Sequence, residues 1–84
     1  MASAVVNVGT FPMPGGDGLV DGHPITDRVG VAGVTGIVVA YNANKQPVTL
    51  LYFQKGGLTV EITGMGGATT DQLVDLGNSI TGLA

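Results

Sequence analysis

The chain has no cysteine and no tryptophan, and only 3 of its 84 residues are Lys or Arg. Without cysteine there is no disulfide framework, no thiolate nucleophile and no thiolate metal site. That absence fits an exported bacterial domain as well as a cytosolic one. The three cations, Arg28, Lys45 and Lys55, are scattered, and the formal net charge is −3. Phosphate backbones are gripped by clustered cations, so nucleic acid is excluded as a main partner, and so is a basic helix lying on a membrane. Long apolar runs are also missing. The longest, residues 37–41, falls far short of the ~20 residues a membrane span needs, so no direct membrane insertion is expected. No basic stretch followed by an apolar one opens the chain, so no signal peptide is expected, and Met1-Ala2-Ser3 reads as an added start at a domain boundary.

Charged residues make up 11% of the chain and hydrophobic residues 44%. The usual charged share is about 25%, and disorder requires the opposite balance. Residues 1–84 are therefore expected to form a single folded domain. A chain of this length buries roughly 60–65% of the surface its unfolded form exposes, so the core is thin. So little charge cannot cover the surface, and a protein partner or a second copy of the chain is expected.

Residues 48–80 carry the clearest pattern. Two apolar stretches, 48–54 and 58–63, flank Lys55-Gly56-Gly57 and predict a β-hairpin. In the second stretch Leu58, Val60 and Ile62 alternate with Thr59, Glu61 and Thr63, the signature of a strand with one buried and one wet side. The first stretch is apolar on both sides in its middle, which predicts a central strand with its second face covered by a helix. Gly64-Met65-Gly66-Gly67 breaks the pattern before that helix. Thr69 or Thr70 is the expected N-cap, and Thr69 with Gln72 fits a capping box. Asp71 and Asp75 suit the first turns, Leu73, Leu76 and Ile80 form the apolar stripe with Val74 and Gly77 beside it, and Gly82 marks the stop. A helix of ~11 residues is marginal alone in water and must dock on the sheet.

Upstream, residues 4–11 (AVVNVGTF) and 34–41 (VTGIVVAY) predict strands from their β-branched density. Residues 12–18 (PMPGGDG) form an irregular loop, since proline fixes φ and glycine supplies unusual angles. Leu19, Val20 and Ile25 suggest a short strand broken by Asp21-Gly22-His23-Pro24. Residues 26–33 are ambiguous, because Gly30 and Gly33 weaken a strand, and residues 42–47 read as a turn closed by Pro47. The fold expected is α+β: a small antiparallel sheet of four or five strands with one C-terminal helix packed on one face.

Candidate chemistry is sparse. His23 is the sole histidine, and Asp17, Asp21 and Asp27 lie near it in sequence. A His–carboxylate pair or a weak Ca²⁺ site can be drawn from them, but the spacing does not fit an EF-hand loop. A solvated Gly-His-Pro turn is the better reading. The glycine segments 15–18 and 64–67 match neither G-x-x-x-x-G-K-[ST] nor G-x-G-x-x-G, and aspartates at the helix start would repel a phosphate. Ser3, Ser79 and the threonines lack a base and a nucleophile motif. Tyr52-Phe53-Gln54 is similar to part of a protease recognition sequence, but Thr49 stands where that needs an acid and Lys55 where it needs a small residue. No catalytic, cofactor-binding or metal-binding residue is expected, and the chain is expected not to be an enzyme.

Residues 50–64 (LLYFQKGGLTVEITG) and 70–80 (TDQLVDLGNSI) resemble the end of a domain found in exported bacterial proteins. In that family an apolar strand ends in a "dGl" turn, and a strand finishing "sG" and a helix of the type "s.deLl.iAesi" follow. It occurs in extracytoplasmic parts of anti-sigma-factor-like regulators and of lipoproteins related to the lipoprotein-carrier fold. Gly22-His23-Pro24 is similar to the "nG.pA" step before its central strands. Gly77 replaces the usual alanine, and the aromatic that opens the first hairpin strand is displaced to Tyr52-Phe53. The resemblance implies a non-enzymatic binding or sensory module of a larger regulator or lipoprotein, placed in the periplasm, at the cell surface or outside the cell. A small structural protein assembling through its sheet edges is the alternative reading, and an enzyme built on His23 with Asp21 or Asp27 is the weakest.

Overall fold

The computed structural model describes residues 3–80. Seven strands precede one helix: β1 (Ser3–Gly9), β2 (Leu19–Val20), β3 (His23–Pro24), β4 (Asp27–Val31), β5 (Val34–Ala43), β6 (Gln46–Lys55), β7 (Leu58–Met65) and α1 (Thr70–Ile80). Five strands form one antiparallel sheet in the order β1-β7-β6-β5-β4, and β2 pairs with β3 as a separate hairpin. The α+β class, the five-stranded sheet and the docked C-terminal helix agree with the sequence expectation. The single short strand expected from Leu19, Val20 and Ile25 is instead this hairpin: His23-Pro24, expected to interrupt it, forms its second strand, and Ile25 lies beyond.

The meander from β4 to β7 is made by two-residue turns with positive φ at both central positions, the condition for type I′. They are Ala32-Gly33 (57°, 80°), Asn44-Lys45 (51°, 65°) and Gly56-Gly57 (61°, 80°), and Asp21-Gly22 (51°, 81°) repeats the device between β2 and β3. This geometry resolves one expectation and corrects another. Residues 26–33, ambiguous in sequence, hold β4 and its turn, because pairing with β5 outweighs the weakening by Gly30. Residues 42–47 are not all turn. Pro47 lies inside β6 opposite Asn42, next to the hydrogen-bonded pair Ala43–Gln46 that closes the turn. Asn42–Pro47 is thus the non-hydrogen-bonded kind of pair, and the missing proline N–H costs the ladder nothing.

The strictly two-residue turns also fix which way each backbone group faces. Lys55 and Leu58 form the bonded pair beside Gly56-Gly57. By alternation, Glu61 and Thr63 turn their backbone toward β1, where Asn7 and Val5 sit opposite. Ala4, Val6 and Val8 therefore aim their N–H and C=O groups at the open side of β1.

β6 is the central strand, as its doubly apolar sequence requires. Leu51 and Phe53 face the helix within a cluster completed by Val31, Val38, Val60, Ile62 and Leu73. Leu50 and Tyr52 face the opposite side with Val20, Ile37, Val39 and Val48, against which Met13, Ile25 and Tyr41 pack. The segment of residues 10–26 therefore forms a second cover. Thr59, expected on a wet side, is fully buried under it, and its hydroxyl donates to the Phe11 carbonyl oxygen at 2.5 Å.

The helix starts as its residues specify. The Thr69 N–H donates to Gln72 Oε1 at 2.9 Å, and the Gln72 N–H donates to Thr69 Oγ1 at 3.2 Å, a complete capping box. Asp71 lies in the first turn, while Asp75 lies beyond it. Leu73 and Gly77 are the buried positions, with Val74, Leu76 and Ile80 only partly covered, so the stripe is centred one residue away from the expected Leu76. Gly82 lies outside the described residues. Gly77 is where helix and sheet come closest: a Cβ there would stand 2.7 Å from Val31 Cγ2 and 3.0 Å from Phe53 Cε1. No helix among the described residues is long and apolar enough to cross a membrane.

Candidate functional site

The polar side chains that share a place in the fold lie on the loop-covered face. Glu61 on β7 projects between Asn7 of β1 and Tyr52 of β6, its cross-strand neighbours. Asn7 Nδ2 donates to Glu61 Oε1 at 3.0 Å, and the Tyr52 hydroxyl donates to Glu61 Oε2. Both carboxylate oxygens thus hold a donor, and the pairing bridges three adjacent strands. Burial pushes the Tyr52 hydroxyl pKa well above the ordinary tyrosine range, and the Glu61 carboxylate adds to the effect by hydrogen bond and by charge, with Asp21 and Tyr41 contributing less. At neutral pH Tyr52 is therefore a fixed donor. The group is suited to locking strands together and offers no free base.

The cap itself is tied down along its length. Gly18 N–H donates to the Gly15 carbonyl at 3.0 Å, and Leu19 N–H donates to Asp17 Oδ1 at 3.1 Å, closing the glycine-rich turn. Ile25 N–H reaches the Gly18 carbonyl at 3.0 Å, extending the β2–β3 pairing beyond its turn. Gly15 needs its φ of 94°, and its missing Cβ leaves room for Ile37 Cδ1, which would stand 2.8 Å from it. Val20 is buried against the sheet, while Phe11 and Leu19 remain exposed. Thr26 fastens the end of the cap: its N–H donates to the Val38 carbonyl and its Oγ1 accepts from the Ala40 N–H.

The residues singled out for chemistry are dispersed by this arrangement. His23 is in β3 and half-buried, its ring stacked on Tyr41 with centroids 4.1 Å apart and planes inclined by 13°. It is therefore part of the cap's packing, where a solvated turn was expected. Asp17 is occupied in its turn, Asp21 occupies the left-handed position of the β2–β3 turn, and Asp27 Oδ1 accepts from the Arg28 N–H at 2.8 Å. Among the described residues no three His, Asp or Glu side chains lie close enough to hold a metal ion. Gly64 and Met65 belong to β7, so of that glycine segment only Gly66 and Gly67 fall in the link of residues 66–69 between strand and helix. Tyr52 and Phe53 are buried sheet residues, and Ser79 donates to the Asp75 carbonyl within the helix at 3.1 Å.

Two features were invisible to pattern reading. One is the Asn7–Glu61–Tyr52 bridge, whose members lie on separate strands, Asn7 and Glu61 being 54 residues apart. The other is a shallow cleft of about 210 Å³ between the start of β1 and α1, lined by Ser3, Ala4, Ala68, Gln72, Leu73 and Leu76. Neither has a contiguous motif. Searches against protein families, curated proteins and solved structures find no match to this chain.

Proposed function

We propose that this chain is a non-enzymatic, extracytoplasmic binding or sensory module of a larger bacterial regulator or lipoprotein, with its recognition surface on the 10–26 cap. The carrying observation is that the cap is an irregular segment held in one conformation by specific bonds, yet presents Phe11 and Leu19 to solvent. Loops fixed by a rigid scaffold are where binding surfaces are most often placed. The resemblance over residues 48–80 supports the extracytoplasmic setting.

The test is a double substitution, Phe11→Ser with Leu19→Ser, in the parent protein. The expected result is loss of its regulatory or binding response with an unchanged melting temperature of the module. A retained response sinks the cap as the recognition surface. A topology reporter fused beside the module that stays on the cytoplasmic side removes the extracytoplasmic setting.

The β1 edge favours a second reading, a small structural protein that assembles through its sheet edges. Val5 and Val8 on β1 are 51% and 49% exposed, and the strand carries no charge and no proline.

A further inference from the structure

Edge strands in native sheets are blunted by lysine, proline, bulges, shortness or a covering element. The two edges of this sheet differ in that respect. β4 has 5 residues, includes Asp27, Arg28 and Gly30, and has α1 packed against it. β1 has 7 residues, SAVVNVG, with no lysine, no proline and an unbroken register, and among the described residues only β7 packs extensively along it.

We infer that β1 is a self-pairing edge, joining antiparallel to β1 of a second copy of this chain with Val6 opposite its own counterpart. The proposal rests on the assembly reading above and names its surface and register. Three observations fix it. First, the backbone groups aimed outward belong to Ala4, Val6 and Val8, and Val6 is the midpoint of Ser3–Gly9. A two-fold axis at Val6 therefore matches Ala4 with Val8 and Val8 with Ala4, uses the whole strand, and makes about six hydrogen bonds, two for each bonded pair. Any other register leaves part of an edge unpaired.

Second, the side chains on the helix side of this seam are all apolar. Val6 packs against the cluster under α1, and Ala4 and Val8 share its face. Paired strands would place these three residues beside the same three of the second copy, next to the cleft at Ala4, Leu73 and Leu76 in each chain. On the other side Val5 meets Asn7, whose amide is already engaged by Glu61. Third, no charged side chain belongs to β1, so two chains of net charge −3 meet without like charges on the joining strands. The isologous pairing closes on itself as a dimer with a ten-stranded sheet, because the opposite edges are of the blunted kind.

One strand against one strand is small beside the about 1,600 Å² of a standard interface, so the dimer forms reversibly as concentration rises. The test combines sedimentation velocity with residue-resolved amide exchange on the full chain, from micromolar to millimolar concentration. The expected result is a dimer whose appearance slows exchange at Ala4, Val6 and Val8, while Val5 and Asn7, bonded to β7, are protected throughout. Val8→Pro removes one outward donor per copy without touching the β7 ladder, and should weaken dimerisation by at least about tenfold. Its circular dichroism should be unchanged. Val8→Lys, which retains the N–H but places charge on the seam, should do the same should the proline variant unfold. A chain monomeric across the range overturns both this pairing and the assembly reading. An oligomer that leaves the Ala4, Val6 and Val8 amides exchanging freely, or that survives Val8→Lys, overturns the β1 pairing and leaves assembly through another surface.

Discussion

The two faces of one sheet are closed in unlike ways. On one side a regular helix lays Leu73 and Gly77 onto Phe53, Leu51 and Val31. On the other, an irregular segment with a two-stranded hairpin lays Val20, Met13 and Ile25 onto Leu50, Tyr52 and Val39. The helix satisfies its backbone internally, so its cover depends only on a docking face and one cap. The loop cannot, and it is pinned by separate bonds at Phe11, Gly15, Asp17, Gly18 and Thr26. A helical cover is thus tuned through packing, a loop cover through many local contacts. The second kind leaves more of its surface free to vary, which suits recognition.

The largest expected effect tests the helix side. Phe53→Ala removes a fully buried ring beneath Gly77 and should cost about 3–5 kcal/mol in denaturant unfolding. That is a large part of the roughly 4–13 kcal/mol available to a domain of this length. Val20→Ala, its counterpart in the cap, should cost about 2 kcal/mol. Amide exchange should then show residues 15–25 opening before β5 to β7. Equal losses for the two, with a single cooperative transition, would dissolve the contrast between the faces. Gly77→Ala sharpens it from the other direction: the gain in helix propensity of about 1 kcal/mol is opposed by overpacking of about 1–3 kcal/mol against Val31 and Phe53. A net loss near 1 kcal/mol is expected by thermal melting, and a net gain would show that α1 can lift off the sheet freely.

Smaller effects follow. Thr69→Ala should cost about 1 kcal/mol by breaking the capping box, read in the same melts. The Tyr52 hydroxyl gives the pH dependence. Its pKa is raised in the folded chain, so the folded state holds its proton where the unfolded state loses it. Stability from this group is complete below the ordinary tyrosine value of about 10 and declines as pH climbs past it. Tyrosinate absorbance should show Tyr52 ionising only far into the alkaline range or on unfolding. Glu61→Gln should bring that ionisation down, and no movement in that variant would discard the bridge as its partial cause.

Legibility in the sequence followed the range of the interactions. The 55–58 turn, the central place of β6 and the Thr69–Gln72 cap could be read because each depends on residues only a few positions apart. β4 could not, since Gly30 weakens its local preference and its strand character comes from pairing with β5. Pro47 misled because the cost of proline depends on which side of a ladder its nitrogen faces, and that parity is set by the turn. Thr59 and His23 read as solvated because nothing in their neighbours announces the cap that buries one and stacks the other. Gly77 could be placed beside the apolar stripe but not in contact, because its close approach to Val31 and Phe53 involves residues distant in sequence.

The strand order carries a kinetic consequence. β4 to β7 are joined by tight turns, so their pairings involve near neighbours and form early. β1 must instead find β7 across most of the chain, Asn7 meeting Glu61 over 54 residues. Loop-closure entropy makes that the slowest contact to form. A refolding chain therefore spends time with β7 already in place and β1 still loose. During that interval the β1 of a neighbouring chain can take the vacant position, which makes strand exchange the characteristic misfolding route of this topology at high concentration.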